Sequence, residues 1–419
     1  MSAPTDAELE DRLRRTYRAV ADRTVVVDGR PMRDARRPAV RLAPPPRRRG
    51  LRVAAVLLVV AGAAAAVAQL GPTGHRADRA ATRTDEGRWE RLPDPPIPVA
   101  NNGVVWTGKE AIVFGDGARA DMAAAYDPAT RTWRRLPDLP DAVVGVGIRG
   151  VWTGREVVAF PIQEKVTRAA AYDPATDAWR VLPGTYPTVW LGTTLAWTGD
   201  RVLLADIGPE EEVLSYPARA LHSGLLDPTT GVWQALPDSP KVVRGAPATV
   251  WAGDQLVVIA QDDSGTLRTM ALDPRARAWR DLPRAPLPPR TGPALVWTGS
   301  ELVLVGVERS GRGPTATWTA AALDPAATSW HDFPPPPMAH ARGLGSAVRV
   351  GDSIYLHRTA AAGQPLLLDT ATRTWAFAAP LPPALADRRT AQSAYGMGDE
   401  VLVLSDDGLP LFAYHPPGG

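Results

Sequence analysis

Past residue 88, apolar and polar positions repeat with a period near 47 residues. One half of the unit is an apolar run, a glycine-containing turn and a second apolar run. Its copies are VVWTGKEAIVF (104–114), GVWTGREVVAF (150–160), LAWTGDRVLLA (195–205), TVWAGDQLVVI (249–259) and LVWTGSELVLV (295–305), followed by the weaker AVRVGDSIYL (347–356) and GMGDEVLVL (396–404). The other half is an Asp-Pro turn leading into a tryptophan. Its copies are YDPATRTWRRLP (126–137), YDPATDAWRVLP (172–183), LDPTTGVWQALP (226–237), LDPRARAWRDLP (272–283), LDPAATSWHDFP (323–334) and LDTATRTWAFAAP (368–380).

Each unit predicts four short antiparallel strands. The V-x-W-T-G-x-E string is a strand, a tight turn that needs glycine, and a second strand rich in Val, Leu and Ile. A third strand ends in the Asp-Pro turn, where Asp can bond its own backbone two residues on and Pro presets φ. Tryptophan begins a fourth strand, and Leu-Pro closes it. A sheet of this kind has two apolar faces, so it must pack against copies of itself, and a ring of copies leaves no end exposed. The units number seven, which predicts an all-β, seven-bladed β-propeller. Trp89, in GRWERLPDPP, precedes any first strand, and LFAYHPP (411–417) reaches the Asp-Pro position without a following tryptophan. The strand around Trp89 is therefore expected to complete the last blade beside Phe412 and Tyr414.

Upstream the pattern changes. No charged residue lies between Val53 and Gly74, and about 22 helical residues reach roughly 33 Å, enough for a bilayer core. A transmembrane helix is expected over 51–72. Residues 1–52 carry 14 arginines against 7 carboxylates, with Arg47, Arg48, Arg49 and Arg52 directly before the span. This run reads as a topology signal and not as a nucleic-acid patch. It places residues 1–50 in the cytoplasm and everything after the span outside. Ala66-Val67-Ala68 has the form of a cleavage site, but some fifty preceding residues far exceed a usual signal-peptide start, so an uncleaved anchor is expected. Thr5 to Arg23 reads as a short helix with Leu9, Leu13, Tyr17 and Val20 on one face, either a juxtamembrane element or a dock for a cytoplasmic partner. Residues 28–50 read as a flexible tether and 73–87 as a linker to a propeller over 88–417.

Composition sharpens this picture in two places. The 43 prolines argue against long helices, and the absence of cysteine excludes disulfides, thiolate catalysis and zinc–thiolate sites. The Y-D-P-x-T-x-x-W-x-x-L-P and V-W-T-G-x-E strings resemble bacterial kelch repeats, related to the central domain of galactose oxidase, over about residues 88–417. One departure stands out: the paired glycines usual at the end of the second strand are missing, as at Ile259-Ala260-Gln261.

Twelve tryptophans recur at two blade positions, as packing between sheets requires. Trp190 and Trp318 break the period and are expected outside the strands, as candidate exposed aromatic contacts. The spacing from the first-strand tryptophan to the Asp-Pro turn is 21 or 22 residues in blades one, two and four, but 30 in blade three and 27 in blade five. The extra residues, GPEEEVLSYPARALHSG and ERSGRGPTATW, must rise on one face, where recognition usually sits. Seven residues before the first-strand tryptophan position, blades four to seven carry Arg244, Arg290, Arg342 and Arg389. An arc of four guanidinium groups at the channel mouth suits carboxylate, sulfate or phosphate ligands, with Glu211 of the blade-three insertion beside it. The kelch resemblance implies that arginines in this loop grip acidic peptide segments. Alternatively, each arginine bonds loop carbonyls of a neighbouring blade.

Catalytic constellations are sparse. The six histidines show no ligand spacing, the copper-radical chemistry of the related oxidases needs a cysteine that is absent, and the S-x-D-x-G-x-x-W loops of sialidase propellers do not occur. No metal or other cofactor is expected. The expectation is therefore a membrane-anchored, extracytoplasmic binding module, monomeric, recognising a protein or glycan. The alternatives are a hydrolase or lyase at the channel mouth, and an envelope signalling protein using the N-terminal helix.

Overall fold

The computed structural model describes residues 86–417, apart from 116–120, 144, 146, 163–167, 188, 190–192, 207–219, 242, 263–265, 287–293, 310–315, 325, 327–328, 338–343, 359–363, 387–391, 406–407 and 409. The candidate span 51–72 and the helix expected over Thr5 to Arg23 lie outside the described residues. Among the described residues no helix is long and apolar enough to cross a membrane.

Strand β1 (Arg88–Arg91) opens the domain. Blade one is β2 (Val99–Trp106), β3 (Ala111–Gly115), β4 (Ala123–Asp127) and β5 (Thr132–Arg135). Blade two is β6 (Ile148–Trp152), β7 (Val157–Pro161), β8 (Ala170–Asp173) and β9 (Ala178–Val181). Blade three is β10 (Thr194–Trp197), β11 (Val202–Asp206), β12 (His222–Leu226) and β13 (Trp233–Ala235). Blade four is β14 (Arg244–Ala252), β15 (Gln255–Gln261), β16 (Leu267–Asp273) and β17 (Ala278–Asp281). Blade five is β18 (Ala294–Trp297), β19 (Leu302–Arg309), β20 (Ala316–Leu323) and β21 (His331–Phe333). Blade six is β22 (Leu344–Val350), β23 (Ser353–Arg358), β24 (Leu366–Asp369) and β25 (Thr374–Phe377). A one-turn helix α1 (Pro383–Ala386) follows, then β26 (Gln392–Met397), β27 (Glu400–Ser405) and β28 (Phe412–His415).

The sheets are seven and four-stranded, and the last has the order β1-β28-β27-β26. Trp89 pairs with Tyr414 and Arg91 with Phe412, so the first strand does complete the seventh blade. The innermost strands abut in sequence around the channel, β2 on β6 through to β22 on β26, and β26 returns to β2. Among the described residues, each second strand is buried on both faces, which is why it reads as a continuous apolar run. Seven seams result, each an apolar cluster drawn from two adjacent blades.

The repeated polar letters have specific jobs. Thr107 Oγ1 accepts the Glu110 N–H at 2.9 Å and donates to the Glu110 carbonyl, which locks the first turn, and Thr153 and Thr298 do the same in their blades. Asp127 Oδ1 accepts the Ala129 N–H at 2.8 Å, and the equivalent aspartates of blades two to six repeat this bond. The turn then needs one left-handed residue: Arg131, Asp177, Arg277 and Arg373 take φ of 56, 52, 54 and 57°. Blade three uses Gly231 there, and a Cβ at that position would meet the Pro183 carbonyl of blade two at 2.1 Å. Only glycine fits both constraints.

The fourth-strand tryptophans do more than pack. Each is half-buried, and in six blades its indole N–H donates to a carbonyl of the preceding blade. The pairs are Trp133 to Pro93 (2.8 Å), Trp179 to Pro137 (2.9 Å), Trp279 to Pro237 (2.8 Å), Trp330 to Pro283 (2.8 Å), Trp375 to Pro334 (2.7 Å) and Trp89 to Ala379 (2.9 Å). The Leu-Pro pair thus closes one blade with its buried leucine and offers the next blade an acceptor. Blade three is the exception: the Pro183 carbonyl accepts the Tyr186 hydroxyl instead. Trp279→Phe keeps the ring but removes the donor, and it is expected to cost about 1 kcal/mol in urea unfolding. Trp233→Phe should cost distinctly less, and equal losses would refute the clamp.

Candidate functional site

In a four-stranded blade the turns joining strands one to two and three to four open on one face. That face is closed by ion pairs the repeat encodes. Glu110 meets Arg134 at 2.9 Å and Glu156 meets Arg180 at 2.6 Å, joining strands two and four of one blade. Gln255 and Arg280 do the same at 2.8 Å, and His415 lies between Glu90 and Glu400 at 3.1 and 3.2 Å. Arg134 reaches on to Asp177 of blade two at 3.1 Å, and the bond to Glu110 raises its pKa further. In blades one and two, carboxylate and guanidinium thus satisfy each other.

The opposite face carries the strand two-to-three hairpins and the blade-to-blade connections, and of the candidate ligand residues Arg244 and Trp318 fall on described strands that reach it. Arg244 opens β14, its backbone opposite Gln261 at the end of β15, so it stands at the channel end of the innermost strand of blade four. The register shifts between Arg244 and Ala248, a bulge that turns the entering chain. Arg290, Arg342 and Arg389 lie outside the described residues, in the connections that precede β18, β22 and β26. Glu211 and Trp190 also lie outside them. Trp318 is a correction. It was expected outside the strands, yet it lies within β20, opposite Val307. The described ends of the blade-five insertion pair with each other, Glu308 opposite Thr317 and Arg309 opposite Ala316, and so lengthen the hairpin.

Sequence reasoning passed over one further group on this face. His357, on the second strand of blade six, is fully buried. Its Nε2 lies 3.2 Å from Gln392 Oε1 on the innermost strand of blade seven, and its Nδ1 lies 3.3 Å from the Tyr355 hydroxyl. Gln392 donates its Nε2 to the Leu385 carbonyl at 2.7 Å, which leaves Oε1 as the acceptor. His357 therefore carries its proton on Nε2 and accepts from Tyr355 at Nδ1. Burial pushes the His357 pKa down to about 4 and the Tyr355 phenol well above its usual value. The signal was available: a second strand is buried on both faces, so a histidine within SIYLHR has to be internal. Both ring nitrogens are engaged, so this group fixes the base of the connection carrying Arg389 and has no hand free for a substrate.

Elsewhere on this face Thr193 donates to Asp206 at 2.7 Å, and Asp262 accepts from Arg268 at 2.8 Å. Among the described residues no cluster of His, Asp or Glu could hold a metal ion.

No protein-family model matches this chain, and no curated protein matches it. Solved structures do share the fold. An oligogalacturonate lyase in complex with manganese is 13% identical with a TM-score of 0.52, covering 79% of this chain and 98% of its own. A fungal alcohol oxidase of the AA5 family, in complex with copper, is 12% identical with a TM-score of 0.54, covering 79% and 76%. A chain of the mitotic checkpoint complex is 10% identical with a TM-score of 0.51, covering 83% and 97%. At such identities the likeness concerns architecture alone.

Proposed function

We propose that this chain is a kelch-type binding module, held outside a membrane by a helix over 51–72, whose propeller recognises an anionic protein or glycan at the mouth bearing the long hairpins. The observation that carries this reading is the position of Arg244 at the channel end of β14, combined with arginine at the same repeat position in the three following blades. Four guanidinium groups, if brought around one opening, would favour ligands whose charge is spread over two or more oxygens. The ion pairs of the opposite face support this choice, since Arg134 and Arg180 there are already held by Glu110 and Glu156. The full-length chain is to be probed on an array of acidic peptides and sulfated or uronic glycans. Arg290→Ala with Arg342→Ala is expected to reduce capture at least tenfold while leaving Tm within about 2 °C. Undiminished capture would overturn the reading. Turnover of a captured glycan or peptide would replace it with the hydrolase or lyase alternative.

A further inference from the structure

In six seams the fourth-strand indole N–H is answered by a carbonyl of the preceding blade, and the seam between blades two and three breaks the rule. The Pro183 carbonyl is taken there by the hydroxyl of Tyr186, which is buried against Phe160. The Trp233 ring rests on the bare backbone of Gly224, where any Cβ would collide with it. In the other blades the same third-strand position holds Ala124, Ala170, Met270, Ala321, Leu366 and Phe412, so blade three alone gives its ring this space. Among the described residues, the Trp233 indole N–H has no hydrogen bond. The residue is half-buried, a setting in which an indole N–H normally finds an acceptor.

The rim beside it is apolar. The turn before Trp233 abuts the end of β9, with Gly231 on Pro183, so Val232 and Val181 flank one junction. Val232 is 56% exposed and Val181 37%, and with Phe377 they are the exposed large hydrophobics among the described residues. These two sites are repeat positions: the residue before each fourth-strand tryptophan, and the residue two after the tryptophan of the blade before. At every other junction one of the two is charged, as in Arg135 with Ala178 or Asp281 with Ser329, except where Ala235 and Ala278 are both small. The missing clamp and the paired valines thus fall on the same seam.

We propose that this junction docks an extended, proline-containing segment of a partner protein, whose carbonyl takes the Trp233 N–H while an apolar side chain covers Val181 and Val232. The chain's own seams say what fits. In five of the six clamps the acceptor carbonyl belongs to a proline, preceded by a buried Leu92, Leu136, Leu236, Leu282 or Phe333. Proline has no N–H to satisfy and a fixed φ, so such a segment offers its carbonyls at little cost in entropy. Docking of polyproline II segments on aromatic surfaces uses the same chemistry. Arg180, next to Val181, is already held by Glu156 and by the Pro228 carbonyl, which favours an apolar contact over an ionic one. The arginine mouth takes no part, so either reading can fail without the other.

The probe is a fluorescein-labelled peptide carrying residues 135–140, Arg-Leu-Pro-Asp-Leu-Pro, twice in tandem, titrated by fluorescence anisotropy against the full-length chain. Trp233→Phe keeps the ring and should weaken binding about fivefold, the worth of one hydrogen bond. Val232→Asp sets a charge under the incoming apolar side chain and should weaken it at least about tenfold. Trp279→Phe is the control: its indole is committed to the Pro237 carbonyl, so it loses more stability than Trp233→Phe yet should bind as the native chain does. Equal binding by the native, Trp233→Phe and Val232→Asp chains would overturn the inference. So would equal affinity for a peptide with alanine in place of each proline, or no saturable binding by the native chain. A concentration-dependent dimer abolished by Val232→Asp would assign the junction to a second copy of the chain and overturn it as well.

Discussion

Trp89→Ala is expected to destabilise the propeller by about 3–5 kcal/mol, the usual cost of truncating a packed tryptophan. The residue stands where the ring is closed. Its ring centroid lies 5.1 Å from that of Tyr414, 6.4 Å from Tyr355 and 6.5 Å from Phe412, so it packs against blades six and seven together. Its indole N–H holds the Ala379 carbonyl of blade six at 2.9 Å. Around it, Tyr414 donates its hydroxyl to the Glu86 carbonyl at 2.6 Å, and the Ala379 N–H reaches the same carbonyl at 2.8 Å. These bonds tie the segment Glu86 to Trp89, which opens the propeller, to blades six and seven. In a stacked array each unit is stabilised by its two neighbours, and a ring removes the two bare ends. Loosening β1 restores those ends. Guanidinium unfolding followed by far-UV signal measures the effect. Trp89→Phe should lose only about 1 kcal/mol, since the ring survives and the donor does not. A loss below about 2 kcal/mol for the alanine variant would show that β1 is not what closes the ring.

This closure was legible in the sequence because it is an argument about counting: a fourth strand without a blade at one end, a third strand without a successor at the other. The Asp-Pro and Thr-Gly turns were legible for a local reason, as their side chains bond backbone within four residues. The indole-to-carbonyl clamps were not, although Trp133 and Pro93 are both letters of the repeat. Partners 40 residues apart look like members of separate units until the units are known to touch. At Trp318 the period breaks while the structure does not. An insertion of even strand-forming length can fold back on itself and keep the ladder. The arginine arc stays a matter of repeat register: only Arg244 falls on a described strand, and what an arginine grips is set by neighbours that periodicity does not name.

Acid should loosen the seam between blades six and seven. His357 has a pKa near 6.5 in an unfolded chain and about 4 in the folded one, where burial disfavours the cation. The unfolded state therefore binds the extra proton over that interval. Stability holds above pH 6.5, falls as pH drops toward 4, and levels off below, at up to about 1.4 kcal/mol per pH unit. The loss from this group sums to about 3 kcal/mol. A charged imidazolium would have to donate at Nδ1 toward Tyr355, whose phenol is itself buried in the cluster with Tyr414 and Trp89. Asp227 and Asp369, held below their usual pKa chiefly by backbone N–H bonds, also lose stability in acid. Theirs is lost only as pH falls through their own lowered pKa values, and it is common to any variant at position 357. His357→Gln supplies the comparison, since its amide can donate to Gln392 and accept from Tyr355 without titrating. Between pH 7 and 4.5 the native chain should lose about 2–3 kcal/mol more than the glutamine variant. Parallel stability curves would mean that the imidazole finds a partner for its second proton. If the arginine mouth proposed above binds an anion, the same acidification should weaken that capture before the propeller unfolds, because Gln392 also holds the Leu385 carbonyl just before the connection carrying Arg389.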